Sequence, residues 1–126
     1  MNDMYTSQDK VKKGYSLDDK SSIKLCIFVC SSTGNGDMPE NGEKFFRFLR
    51  RMTNLVPEGQ KSTSMKHVYY CMLGLGSSDY SKYQAVPRFI VQKLAILGAN
   101  TFYYNGEADD GTSLELVVEP WLEGIQ

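Results

Sequence analysis

Two short segments do most to limit what this chain can fold into. Ser31-Ser32-Thr33-Gly34-Asn35-Gly36-Asp37 and Gly74-Leu75-Gly76-Ser77-Ser78-Asp79-Tyr80 each follow an apolar, β-prone run and precede a helical pattern. A chain that alternates strand, Gly-rich loop and helix builds a parallel sheet with right-handed crossovers. Both loops then emerge on one edge of that sheet, the edge where open α/β sheets bind ligands.

The periodicity fills in the rest. Ile23 to Cys30 is near-continuously apolar, the pattern of a strand buried on both faces. Phe45, Phe48, Leu49 and Met52 line one face of a helix expected over about Glu40 to Met52. A second strand is expected over His67 to Leu73, and a second helix over Val86 to Leu97, with Gly98 placed to stop it. A short third strand follows at Thr101 to Tyr104, then a loop from Asn105 to Gly111. Thr112 with Glu115 reads as a capping box for a last helix, in which Pro120 should cause a kink or an early end. The fold class is therefore α/β, a parallel sheet of about three core strands with flanking helices. Residues 1–22 lack periodicity and read as an irregular polar lead-in to a domain over 23–126.

The chain has 126 residues and a net charge of −1, which argues against a nucleic-acid binder. Its charge is unevenly spread, because every Lys and Arg lies at or before Lys93. Beyond that point stand Glu107, Asp109, Asp110, Glu115, Glu119 and Glu123. Such a segment is either a solvated helix face or a docking surface for a basic partner protein, with Glu107, Asp109, Glu115 and Glu119 as its candidates. Cys26, Cys30 and Cys71 are odd in number and irregularly spaced, so they read as buried thiols in a reducing, cytoplasmic setting. No apolar stretch approaches the roughly 20 residues of a membrane span.

The loops carry the chemistry. Gly34, Gly36, Gly74 and Gly76 allow close approach of backbone to a ligand. Ser31, Ser32, Thr33, Ser77 and Ser78 supply small hydroxyls, and Tyr80 and Tyr83 supply flat faces. Turns use Gly, Ser and Asp for their own reasons. Two such loops on one sheet edge point instead to a planar heteroaromatic ring held by main-chain groups. A phosphoacceptor reading would need an Asp directly after the first strand, and Asp37 lies too far into its loop.

Together these motifs resemble the FMN-binding, flavodoxin-like domain of diflavin reductases. Ser31 to Pro39 resembles the first flavin-ring loop and Leu73 to Tyr80 the second. Leu97-Gly98-Ala99 is similar to the helix-to-strand corner. Glu107-Ala108-Asp109-Asp110-Gly111 and Leu114 to Trp121 are similar to the last loop and helix. The resemblance implies FMN as cofactor. It implies that Ser31, Ser32, Thr33 and Gly34 contact the isoalloxazine ring. Leu75, Gly76, Ser77, Ser78, Asp79, Tyr80, Ser81, Lys82, Tyr83 and Gln84 would form the other wall, with Tyr80 stacking, and Asp110 would lie near the flavin or its ribityl chain. The implied function is an electron-transfer module that passes electrons from a FAD/NADPH reductase module to an acceptor protein. The alternative is a non-catalytic interaction domain of the same fold that no longer holds FMN tightly.

The three expected strands match the third, fourth and fifth of the order 2-1-3-4-5. Strand 1, its phosphate loop and the next helix are expected to have no counterpart. Tyr5-Thr6-Ser7-Gln8 has hydroxyls, but no Gly and no preceding strand. Losing three charge-assisted phosphate contacts at roughly 1.5–3 kcal/mol each would cost about 4–9 kcal/mol, or about three to six decades of affinity. The first strand would also become an exposed apolar edge, with self-association as the expected result.

Overall fold

The computed structural model describes residues 22–32 and 36–126. The polar lead-in, any phosphate-binding feature within it, and Thr33 and Gly34 lie outside the described residues.

Strand β1 (Lys24–Ser31) pairs in parallel with β2 (Val68–Gly76) along its whole length, from Lys24 opposite Val68 to Ser31 opposite Leu75. The far side of β2 is occupied by two short pieces. Strand β3 (Asn100–Thr101) pairs with Tyr69 and Tyr70, and β4 (Gly106–Asp109) pairs with Leu73 to Gly76. All pairings are parallel, so the sheet has four strands in three lanes.

The third lane departs from expectation. Thr101 to Tyr104 does not continue as a strand, and the expected loop Asn105 to Gly111 instead supplies β4. At the gap between β3 and β4 the side chain of Asn105 stands in for a strand: its Oδ1 accepts from the Met72 N–H at 3.0 Å.

One face of the sheet is covered by α1 (Glu43–Asn54), entered through a 3-10 turn at Glu40–Gly42, and by α2 (Ala85–Ile96). Cys26 and Phe28 of β1 and Tyr70 and Met72 of β2 point to this side, where they meet Phe45, Phe48, Leu49, Ile90 and Leu94. The Phe28 and Phe45 rings stack with centroids 5.4 Å apart. Thr53, also buried, donates its hydroxyl to the Leu49 carbonyl one turn back, so no polar group is stranded there. Gly98, at φ 89°, ends α2 as expected, since a Cβ in that left-handed position would meet the Ser62 carbonyl.

Among the described residues the other face is covered by α3 (Glu115–Ile125) alone. Trp121 is fully buried against Cys71 and Leu73. Its indole N–H donates to the Tyr104 carbonyl at 2.9 Å, and the Tyr103 hydroxyl donates to the Trp121 carbonyl at 2.9 Å. These bonds explain why Tyr103 and Tyr104 leave the sheet. Pro120 sits inside the helix without ending it. The expected capping box does not form. The Thr112 hydroxyl donates to the Asp109 carbonyl, Glu115 bonds the neighbouring Ser113, and Leu114 takes the cap position.

A further correction concerns β1. It is not buried on both faces. Cys26 and Phe28 are buried, while Leu25, Ile27 and Val29, on the side of α3, are exposed. Among the described residues β1 pairs with β2 alone, and no helix is long and apolar enough to cross a membrane.

Candidate functional site

The C-terminal ends of β1, β2 and β4 converge on one edge of the sheet, and three loops leave from them. Ser31, the last residue of β1, is exposed. Ser32 turns inward, where its Oγ accepts from the Val86 N–H at 3.0 Å. That bond satisfies a donor at the start of α2 and ties the first loop to that helix. Further along, Gly36 adopts φ 81°, and a Cβ there would strike the Lys82 side chain. The first loop thus meets α2 at Val86 and the second loop at Lys82.

The second loop follows Leu75 and Gly76 and runs as a series of tight turns. The Tyr80 N–H donates to the Ser77 carbonyl at 3.1 Å and the Tyr83 N–H to the Tyr80 carbonyl at 3.2 Å. Ser78, Asp79, Ser81 and Lys82 are exposed, and Ser77 is half-buried. Tyr80 keeps 56% of its surface exposed at the rim. Tyr83 is half-buried, with the Arg88 guanidinium 5.4 Å from its ring centre. Arg88 in turn forms a two-pronged ion pair with Glu107 of β4, both contacts 2.7 Å.

The third loop is clamped to the second by one carboxylate. Asp109 Oδ1 accepts from the Ser78 N–H and from the Gly111 N–H, each at 2.8 Å. A bond from the Ser78 hydroxyl, together with these main-chain bonds from Ser78 and Gly111, favours the ionised form and holds the Asp109 carboxyl below the usual range. The Asp110 N–H donates to the Gly76 carbonyl at 2.7 Å, which leaves the Asp110 side chain exposed. Gly111 fits because a Cβ there would meet the Ser78 hydroxyl at 2.8 Å.

Gln84 closes the second loop from beneath. It is fully buried and holds φ 58°, the left-handed region, at the start of α2. Its Nε2 donates to the Gly74 carbonyl of β2 and to the Ala108 carbonyl of β4, both at 3.1 Å. One side chain therefore fixes the separation of two strand ends.

The structure brings together Ser31, Ser32, the whole of Leu75 to Gln84, and Asp110. Their roles divide by burial. Tyr80, Ser78, Asp79 and Asp110 face solvent, whereas Ser32 and Gln84 hold the loops in place. Sequence patterning had no means to find the clamp by Asp109 or the strut by Gln84. Both act across more than twenty residues, and neither belongs to a periodic pattern. Burial pushes the Cys26 thiol up to about 11 and the half-buried Cys30 thiol up to about 12, above the range of a reactive thiolate.

An exposed aromatic face beside small hydroxyl residues, on loops locked at a set distance, is a donor set suited to a flat heteroaromatic ring. The comparisons agree. The sequence model of the flavodoxin family matches residues 4–121. Methionine synthase reductase of Caenorhabditis elegans is 43% identical over 115 residues, which cover 91% of this chain and 16% of that protein. The protein of the same name from Bos taurus is 38% identical over 130 residues, covering 94% and 18%. NADPH-dependent diflavin oxidoreductase 1 of Danio rerio is 38% identical over 110 residues, covering 86% and 18%. The chain spans less than a fifth of the length of these relatives.

Proposed function

This chain belongs to the flavodoxin family, and from that premise we propose that it carries the ring-binding loops of an FMN electron-transfer module of the diflavin reductase kind. FMN is the cofactor that membership implies. When bound, it takes up and releases electrons one or two at a time.

The observation that carries the reading is the locked pair of loops around the exposed Tyr80 ring. Asp109 joins Ser78 to Gly111, Gln84 joins β2 to β4, and Ser32 joins the first loop to α2. Tyr80 then offers its ring to the flavin without a prior loop rearrangement, so little ordering cost opposes binding. Ser31, Ser77 and Ser78 supply hydroxyls around the polar edge of the ring, while Ser32 holds the first loop to α2. The exposed carboxylates of Asp79 and Asp110 oppose any build-up of negative charge beside them.

In the finer reading, electrons arrive from a FAD/NADPH reductase module and leave to an acceptor protein that docks on the acidic C-terminal third. Glu107 is already paired with Arg88 and Asp109 holds the loops. Glu115 and Glu119, exposed on α3, are then the carboxylates that steer a basic partner. The three free cysteines support a reducing, cytoplasmic setting.

Titration with FMN tests the reading. Quenching of flavin fluorescence at micromolar protein supports it. Absence of quenching at tens of micromolar would favour a non-catalytic interaction domain instead.

A further inference from the structure

The uneven spread of charge leaves one cationic surface without a role. Arg50 of α1 and Lys93 of α2 meet across the seam between the two helices. Phe46 and Phe89, both half-buried, stack there with ring centroids 4.3 Å apart. The Arg50 guanidinium lies 5.1 Å from the Phe46 ring centre and 5.7 Å from that of Phe89. The Lys93 ammonium lies 5.1 Å from the Phe89 centre. A carboxylate three or four residues away along a helix would pair with such a cation. Arg50 has Phe46, Arg47, Thr53 and Asn54 at those positions, and Lys93 has Phe89, Ile90, Ile96 and Leu97. Among the described residues neither cation has a carboxylate partner.

Lys93 also lines a pocket of about 430 Å³, set between the last turns of α1 and α2 and the loop that follows α1. Val56, Pro57 and Ile96 give it an apolar lining, and Lys61 and Lys93 outnumber Glu58 among its charges. Its size falls within the roughly 300–1,000 Å³ in which pockets bury a ligand group. The Phe46–Phe89 stack holds Arg50 and Lys93 at set positions beside it, so little side-chain ordering opposes their contact with an anion. Seam and pocket are built entirely of described residues, on the sheet face away from α3.

We propose that the seam between α1 and α2 is a docking surface for an acidic protein segment that carries an apolar anchor residue. Carboxylates of the segment meet Arg50, Lys93 and Lys61, and the anchor fills the pocket. Arg50 suits this part because its fork takes a carboxylate through two parallel bonds while its flat face stays on the rings. Other anionic surfaces match less of the site. A nucleic-acid strand seeks open aromatic faces on which its bases stack. Phe46 and Phe89 instead face each other and are flanked by the two cations. A bilayer surface has no side chain to place in a recessed pocket. Glu115 and Glu119 lie on α3, across the sheet. The two surfaces are opposite in sign and point away from each other, so a basic partner on α3 and an acidic one on the seam bind without competing.

Fluorescence anisotropy with two labelled peptides tests this on the full 126-residue chain. One peptide has a central Phe-Leu pair flanked by Glu on both sides, and the other has Gly-Gly in place of that pair. The Phe-Leu peptide is expected to bind, and the Gly-Gly peptide to bind about tenfold more weakly. Arg50→Glu and Lys93→Glu should each weaken the Phe-Leu peptide about tenfold, with circular dichroism unchanged. Lys44→Glu, the same change of charge in the first turn of α1, should alter it by less than about twofold. Arg50→Gln and Lys93→Gln keep most of the stem, serve where a reversal unfolds the chain, and should cost about threefold each. Absence of binding by either peptide overturns the proposal, as does equal binding of both. An equal loss in Lys44→Glu reduces the effect to net charge and overturns it too. Tighter binding of a single-stranded oligonucleotide or of phosphatidylserine vesicles assigns the surface to phosphate instead. Sedimentation of the chain alone as a larger species, returned to 14.2 kDa by Arg50→Glu, makes a second copy the occupant and likewise overturns it.

Discussion

Gln84 and Gly74 are fitted to one another. The Gln84 amide nitrogen donates to the Gly74 carbonyl at 3.1 Å, and the Gln84 amide oxygen lies where a Cβ on residue 74 would stand. Among the described residues that oxygen has no N–H or O–H donor, and the bare Cα of Gly74 is what allows it to sit there. The pair joins the end of β2 to the loop that follows it. Since the same amide nitrogen also reaches the Ala108 carbonyl, β4 is held in the same fixture.

Substitution at either member should be costly, and the two should not add. Gly74→Ala forces a methyl against Gln84 and against Pro87, whose Cβ and Cγ would be 2.9 Å away. Overpacking of this kind costs about 1–3 kcal/mol. Gln84→Ala removes two buried hydrogen bonds, about 1–3 kcal/mol in all. The double variant should be more stable than the sum of the two losses implies, by about 0.5–3 kcal/mol, because the first clash is gone. Urea denaturation of the four proteins measures this coupling.

Tyr80→Ala should weaken FMN binding without unfolding the protein. A stacked aromatic is worth about 1–3 kcal/mol, or roughly 5- to 150-fold in affinity. At 56% exposure the ring contributes little to the core, so the melting temperature of the FMN-free protein should stay within error. Fluorescence titration and thermal melts read the two effects separately. Unchanged affinity would mean that Tyr80 does not stack on the ring.

The clamp at Asp109 should open in acid. Its pKa is lowered in the folded state by the bonds from Ser78 and Gly111. The stabilisation is therefore complete above the ordinary Asp value of about 3.9 and is lost as pH falls below it, through the lower folded value. Hydrogen exchange at the Ser78 and Gly111 amides, corrected for the intrinsic pH dependence, should accelerate in that window. Asp109→Asn should show fast exchange at these amides already at neutral pH.

Removal of the Trp121 side chain should detach α3 from the sheet. Trp121→Ala is expected to cost about 3–5 kcal/mol. Tyr103→Phe, which loses only the bond to the Trp121 carbonyl, should cost about 0.5–1.5 kcal/mol. Loss of near-ultraviolet ellipticity with retained far-ultraviolet signal would locate the damage in packing rather than in secondary structure.

The strand and helix alternation was legible because it is periodic. Phe45, Phe48 and Leu49 announce α1, and Ile90 and Leu94 announce α2, at the spacing a helix buries. The third lane was not, for opposite reasons at its two ends. Phe102 to Tyr104 has the aromatic content of a strand, yet Tyr103 and Tyr104 bond Trp121 of α3 instead. Gly106-Glu107-Ala108-Asp109 has little strand propensity, yet it pairs because the C-terminal half of β2 offers open main-chain groups there. The capping box failed for a similar reason, since Thr112 found a nearer carbonyl at Asp109. In the site, the exposed loop residues were visible as composition. The struts Gln84 and Asp109 depend on distant strand ends and left no local trace.

The break between β3 and β4 bears on how far this sheet can grow. Its outer lane is two short pieces, with the Asn105 side chain filling the gap on the inner side. An incoming strand would find no unbroken row of partners along that lane. That lane therefore offers no template for strand addition, and a partner meeting this side of the sheet must bind through side chains.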